Sequence, residues 1–307
     1  MTPSDFILHN SSLILPAAVR PPWPDELPRL ADAFPKYPRH HATRPLLLLT
    51  SAGGVERIGG VAGVSDPVNG MAALTLHLRP RFLAEPDTGL ATLLDAVAGL
   101  ARSLGAHTLH TTDSLTPADP RVTALRRHGF AHARTDEVWR TEFTEMLPRL
   151  DRVHQRLETV GRLAGHTVTP LAEADLPEVR ALMLAAGLLR PERVFLLPAD
   201  DQAASRGHHA ALSPVVRRAG RLVGALLARY SGDGVTFEAQ AVDPACIGGL
   251  DLANHLTLRG VAQAGLAAGR THMVFSADTA KAPATIRMAR RMGGRRLNEF
   301  VVLARAL

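Results

Sequence analysis

One set of landmarks occurs twice at a fixed spacing, and this limits the possible folds more than any other feature of the chain. Arg57-x-x-Gly60 returns as Arg221-x-x-Gly224, Pro80 as Pro244 and Gly105 as Gly269. Arg126-Arg127-His128-Gly129 returns as Arg290-Arg291-Met292-Gly293, again 164 positions later. An earlier step, Glu26-Leu27-Pro28, returns as Asp175-Leu176-Pro177, only 149 positions later. The two offsets place an insertion in the second copy at roughly Ala186 to Arg206. Such an insertion is either a substrate-shaping loop or a neutral surface excursion. The pattern predicts one fold used twice, and 307 residues agree with two ordinary units. Any function must then be sought at two equivalent places.

Composition narrows the classes. Cys246 is the only cysteine, so no intrachain disulfide forms and a reducing, cytoplasmic setting is expected. No run approaches 18 apolar residues and the N-terminus lacks a secretory pattern, so no membrane partner is expected. The net charge is +6, with Lys36 and Lys281 the only lysines among many arginines. GC-rich coding would give this bias. So would attraction of a polyanion, either nucleic acid or a nucleotide-bearing cofactor. Aromatic residues are 4% of the chain and no basic stripe is interleaved with them, which argues against stacking on bases.

Each copy reads in the same order. An acidic-Leu-Pro step opens a helix, and a His-His-Ala step follows. Leu46 to Thr50 and Arg57 to Val64 form a hairpin, matched by Val215-Val216 and Arg221 to Arg229 around Arg218-Ala219-Gly220. Met71 to Leu78 and Thr236 to Val242 are the next strands. A long helix follows. Leu90, Leu93, Leu94, Val97, Leu100, Ala101 and Leu104 lie on one face of it, and Gly105 ends it. Asp251 to Ala268 is its counterpart, ended by Gly269. Each copy closes with a strand, a short helix and a hairpin. Between the copies, Leu150, Val153, Leu157, Val160 and Leu163 predict an amphipathic linker helix after Pro148. Adjacent histidines such as His40-His41 and His208-His209 point to opposite faces of a strand, so no metal site is expected there. Cys246 reads as a small buried residue.

The order helix, hairpin, strand, long helix, strand, helix, hairpin resembles the GNAT superfamily of N-acetyltransferases in its tandem form. The residues that carry the resemblance are Glu238-Ala239-Gln240-Ala241-Val242-Asp243-Pro244, Thr88-Gly89-Leu90-Ala91, Leu125-Arg126-Arg127-His128-Gly129-Phe130 and Ala289-Arg290-Arg291-Met292-Gly293. The resemblance implies an α/β (α+β) chain of two GNAT-like domains, each a mixed, mostly antiparallel sheet flanked by helices. The expected boundaries are 1–146, a linker helix over 147–164, and 165–307. The implied cosubstrate is acetyl-CoA and the implied partner is an amine on a small molecule or peptide. The internal duplication implies a monomeric pseudo-dimer or a homodimer.

In this family a thioester-bearing arm pairs with a strand that splays from its neighbour. The pyrophosphate sits on free N–H groups where the long helix begins. Carried over, the cofactor-binding residues are Ala241, Val242, Gly248 and Gly249 in the second copy. In the first copy they are Leu76, Leu78, Gly89, Leu90 and Ala91. Glu238 stands where the family places a proton-accepting carboxylate, and the Val242 N–H would polarise the thioester carbonyl. Leu74 stands at the first copy's equivalent of Glu238 and cannot accept a proton.

The chain departs from the family pattern in two respects. Neither helix entry has the expected Arg or Gln: Pro86 stands there in the first copy, flanked by Glu85 and Asp87, and the second copy's Ile247-Gly248-Gly249 has no basic residue. The usual Asn and Tyr of the last helix are Ala118 and Leu125, then Ala282 and Ala289. An eroded, non-catalytic binding or interaction module is therefore the alternative reading.

Overall fold

The computed structural model describes residues 18–24, 26, 30, 43–52, 55–83, 88–112, 115–172, 175–186, 208–246 and 250–307. Two compact units emerge, Met1–Thr135 with Phe300–Leu307, and Asp136–Glu299. The boundaries differ from the expected 1–146, 147–164 and 165–307, because each unit takes its closing strand from the other half of the sequence.

In unit 1, strands β1 (Ala18–Arg20), β2 (Thr43–Ala52), β3 (Val55–Ser65) and β4 (Met71–Leu78) pair antiparallel in sequence order. β4 then pairs parallel with β5 (Thr108–Thr111). The far edge of β5 is taken by Ala304–Ala306, near the end of the chain. Helix α1 (Thr88–Ser103) buries Leu90, Leu93, Leu94, Val97 and Ala101 in the core with Leu74, Leu76 and Leu109. This is the apolar face read from the sequence. Gly105, at φ +85°, stops the helix, and the Ala106 N–H reaches back to the Ala101 carbonyl. Only a residue without a Cβ takes that conformation cheaply. Helix α2 (Pro120–Arg127) follows β5, with Asp119 as its N-cap.

Unit 2 begins within β6 (Ala131–Glu142), whose residues 136–142 run antiparallel along the later strand β11 (His272–Asp278). Helix α3 (Phe143–Thr159) comes next. The sequence predicts a linker helix after Pro148. The helix instead runs through Pro148 and buries Phe143, Met146 and Leu150 in the unit's core. Those three apolar side chains, at helical spacing, make it a structural layer of unit 2.

β7 (His166–Pro170), β8 (Pro214–Arg218), β9 (Arg221–Ser231) and β10 (Gly234–Val242) then form an antiparallel run. Ala219 and Gly220, at φ +48° and +81°, make the tight turn expected at that hairpin. Helix α4 (Leu176–Ala185) packs Val179 and Met183 against Leu227 and Ala241. Helix α5 (Leu250–Ala267) repeats the closure of α1. Gly269 has φ +70° and the Arg270 N–H reaches the Gly265 carbonyl. Helix α6 (Pro283–Arg291) and β12 (Arg295–Ala306) end the chain. Among the described residues no helix is long and apolar enough to cross a membrane. Cys246 is half-buried, against the cluster of Val216, Val223, Leu252 and Leu256. His208 and His209 are in place, and the His209 N–H donates to the Ala228 carbonyl. His40, His41 and the bulk of the second-copy insertion lie outside the described residues.

Candidate functional site

The two units differ most where their central parallel strands part. In unit 2, β10 pairs with β11 at only two positions, Val235 with Met273 and Thr236 with Val274. Beyond Thr236 the strands diverge. On its other edge β10 stays paired with β9 as far as Val242, but the register slips between Phe237 and Ala239. That slip is a β-bulge, which bends a strand and increases its twist. It provides a local cause for the parting.

The Asp243 N–H donates to the Val223 carbonyl, toward β9. Amides along a strand alternate in direction, so the N–H groups of Val242 and Gln240 point to the open side. There no strand among the described residues pairs with them.

A cavity of about 800 Å³ lies beside the end of β10. Gln240, Ala241 and Val242 of β10 line it, with Asn254 and His255 of α5, Leu150 and Val153 of α3, and Thr285, Arg287, Met288 and Arg291 of α6. Among the described lining residues there is no carboxylate, whereas two are guanidinium-bearing. Gln240 is held by a hydrogen bond from its Nε2 to Thr257 Oγ1, and Thr257 is fully buried.

His255 is 8% exposed and stacks on His154 of α3, ring centroids 5.8 Å apart. His154 Nδ1 and His255 Nε2 are both buried without a hydrogen-bond partner. Burial, then the neighbouring His154 and Arg259, push the pKa of His255 down to about 4. Burial and Arg259 lower that of His154 too, against the opposing pull of Glu158 and Asp151. Both rings are therefore neutral near pH 7, and of the two it is His255 that lines the cavity.

The structure brings together Ala241 and Val242 of the predicted cofactor residues. Gly248 and Gly249 lie outside the described residues. Glu238 sits in the bulge itself, one third exposed, and its carboxylate accepts from Arg229 Nε of β9. It is not among the residues lining the cavity.

Unit 1 is closed at the corresponding place. β4 pairs with β5 over four positions, from Met71 with Thr108 to Leu74 with Thr111. The Thr112 N–H extends the pairing to the Leu74 carbonyl. The β3–β4 register runs without a slip. The next outward carbonyl, that of Leu76, accepts from Arg121 Nη1 at 3.0 Å, and Asp119 fixes the same guanidinium through Nε and Nη2. Leu76 and Leu90 are core residues, 2% and 1% exposed, Gly89 is buried, and Leu78 packs at the edge of the same cluster. Ala91 is half-buried. These five residues therefore surround a packed and paired strand end.

Residue 285, which corresponds to Arg121 at the 164 offset, is a threonine and lines the open cavity of unit 2. The comparison extends to other positions. Leu74, Leu76, Leu90 and Ala91 of the closed copy correspond to Glu238, Gln240, Asn254 and His255 of the open one. Three of these polar residues, Gln240, Asn254 and His255, line the cavity. Sequence reasoning passed over Gln240, Asn254, His255, Arg287 and Arg291, although this copy-against-copy contrast singles out the first three.

At the level of sequence, no protein-family model matches the chain and no curated protein matches it. Solved structures match it well in fold. A GCN5-related N-acetyltransferase from Sphaerobacter thermophilus aligns over 94% of this chain and 95% of its own, with TM-score 0.59 and 16% identity. A tandem GNAT protein from the clavulanic acid biosynthesis pathway aligns over 94% and 98%, with TM-score 0.55 and 15% identity. A GNAT-family acetyltransferase from Colwellia psychrerythraea covers 94% and 100%, at TM-score 0.52 and 12% identity. The chain therefore has the GNAT acetyltransferase fold in tandem, as the order of its elements predicts.

Proposed function

We propose that the protein is an acetyl-CoA-dependent N-acyltransferase whose working site lies in unit 2. The observation that carries this reading is the parting of β10 from β11 after Thr236, beside a cavity lined by Gln240, Ala241 and Val242 of the same strand. Unpaired strand amides suit an arm that itself carries amides, because the arm then adds like one more strand. To the Val242 N–H we assign the hydrogen bond to the thioester carbonyl, a bond that strengthens as negative charge develops on the oxygen.

In the reaction the acceptor amine attacks the thioester carbon, a C–N bond forms, and the C–S bond breaks. The thiolate then leaves with the cofactor. The amine must first lose its proton, and Glu238 is the group we assign to receive it, directly or through water. Arg229 holds that carboxylate in an ion pair from the neighbouring strand. A thiol of ordinary pKa, about 8.5, departs without a strong acid, which suits a site with alanines at positions 282 and 289. Unit 1 has a structural part in this reading, with Arg121 where an incoming arm would pair.

Calorimetric titration with acetyl-CoA is the test, run on the wild type and on Glu238→Gln with an amine panel for turnover. The expected result is one site per chain in both proteins, with turnover lowered 10²-fold or more in the variant, the usual scale for removing a general base. The eroded-module reading expects no binding at millimolar acetyl-CoA and no rise in melting temperature, since only a ligand of the folded state raises it.

A further inference from the structure

We infer that Arg287 and Arg291 of α6 hold the phosphates of the acyl carrier, taking the part of the basic residue that the helix entry at Ile247-Gly248-Gly249 lacks. This rests on the reading of unit 2 as an acyl-CoA site and adds which side chains neutralise the nucleotide end. The argument begins with spacing. Arg287 and Arg291 are four apart on one helix, so they share a face. That face lines the cavity, together with Met288 and Thr285. Both arginines are exposed and neither has a carboxylate partner among the described residues. Several other arginines of unit 2 are paired: Arg217 with Asp175 and Glu178, Arg229 with Glu238, Arg259 with Asp151, and Arg296 with Glu137 and Glu299.

Two like charges one helical turn apart repel and destabilise an isolated helix slightly. An anion between them removes that repulsion. A guanidinium presents forked donors that match phosphate oxygens two at a time. The end of the helix is also held in place, because Arg149 Nη1 of α3 donates to the Arg291 carbonyl at 2.6 Å. The cavity thus has an uncharged inner part, with Gln240, Asn254 and the neutral His255, and a cationic part on α6. A ligand that suits it is polar and amide-bearing at one end and polyanionic at the other.

The experiment is calorimetric titration of wild type, Arg287→Ala, Arg291→Ala and the double variant with CoA, 3′-dephospho-CoA, pantetheine and inorganic pyrophosphate. Both side chains are exposed, and matched melting curves confirm that each variant folds. In the expected outcome the double variant binds CoA at least 30-fold more weakly, keeps its affinity for pantetheine, and shows less salt dependence than wild type. A smaller loss with 3′-dephospho-CoA assigns the arginines to the 3′-phosphate, and an equal loss assigns them to the diphosphate. Unchanged CoA affinity in the double variant overturns the inference while leaving the acyltransferase reading intact. The converse is also distinguishable. If wild type takes neither CoA nor pantetheine but binds pyrophosphate through these two arginines, the anion site stands and the acyltransferase reading falls. If pyrophosphate, CoA and pantetheine all fail to bind, both fall.

Discussion

Arg121 and Thr285 occupy corresponding places in the two copies, and the difference between them decides what each copy offers a ligand. A guanidinium fixed by Asp119 satisfies the Leu76 carbonyl in unit 1. Threonine is too short to reach across, and the equivalent strand edge stays open. The residues facing the opening differ as well: Gln240, Asn254 and His255 stand where the first copy has Leu76, Leu90 and Ala91. His255 shows what this change costs. Its imidazole is buried, stacked on His154, and titrates near pH 4 in the folded protein. In the unfolded chain it titrates near 6.5. As pH falls from about 6.5 to about 4 the unfolded state takes up a proton that the folded state refuses, so stability drops across that window and levels off below it. The contribution is on the order of 3 kcal/mol, at 1.36 kcal/mol per pKa unit. Chemical denaturation of wild type and His255→Gln at pH 7, 5.5 and 4.5 measures it. The wild type is expected to lose stability more steeply than the variant, and parallel curves would refute the assignment.

At the level of elements, the two long helices look alike in sequence but pack differently. Gly99 of α1 is exposed and a Cβ placed on it meets nothing within 4 Å. Gly265 of α5 lies directly over the Phe143 ring of α3, which fills the space a Cβ would need. Alanine improves helix propensity by about 0.8–1 kcal/mol at either position. At position 99 nothing opposes that gain, and Gly99→Ala is expected to stabilise the protein by roughly that amount. At position 265 the overpacking penalty, about 1–3 kcal/mol, exceeds it. Gly265→Ala is expected to lower the melting temperature and to shift the near-ultraviolet signal as α3 moves off α5. Thermal melts of the two variants beside wild type give the comparison, and the same sign for both would show that α3 does not pack as described.

For the whole molecule, unit 1 is not one consecutive stretch of sequence, and unit 2 lies between its two pieces in the chain. Unit 1 needs residues 300–307 to cover β5, and unit 2 needs residues 136–159 for a strand beside β11 and a buried helix. A fragment cut at the sequence-based boundary, 165–307, lacks both of those pieces. It is expected to be unfolded or aggregated, because it leaves an unpaired strand edge and an uncovered apolar core. The fragment 136–299 retains them and is expected to melt cooperatively. Circular dichroism melts of the two fragments are the measurement. Cooperative folding of 165–307 alone would restore the original boundary.

The doubled fold, the strands on either side of the cleft and the glycine stops of both long helices were legible in the chain itself. Each rests on local chemistry repeated at a fixed offset: an apolar stripe at helical spacing, and Gly105 and Gly269 where the backbone must turn left-handed. The exchange of end strands was not legible, since a strand's partner depends on which edge lies open, and the apolar pattern does not record that. Position alone singles out Glu238 as a candidate, but its pairing with Arg229 is made at the bulge between Phe237 and Ala239. A one-residue slip of register leaves no mark on composition. Sequence by itself determined how many times the fold is built and where its helices stop. Only tertiary structure decided which copy is open, because that depends on two strand pairs and one arginine-to-carbonyl bond between segments distant in the chain.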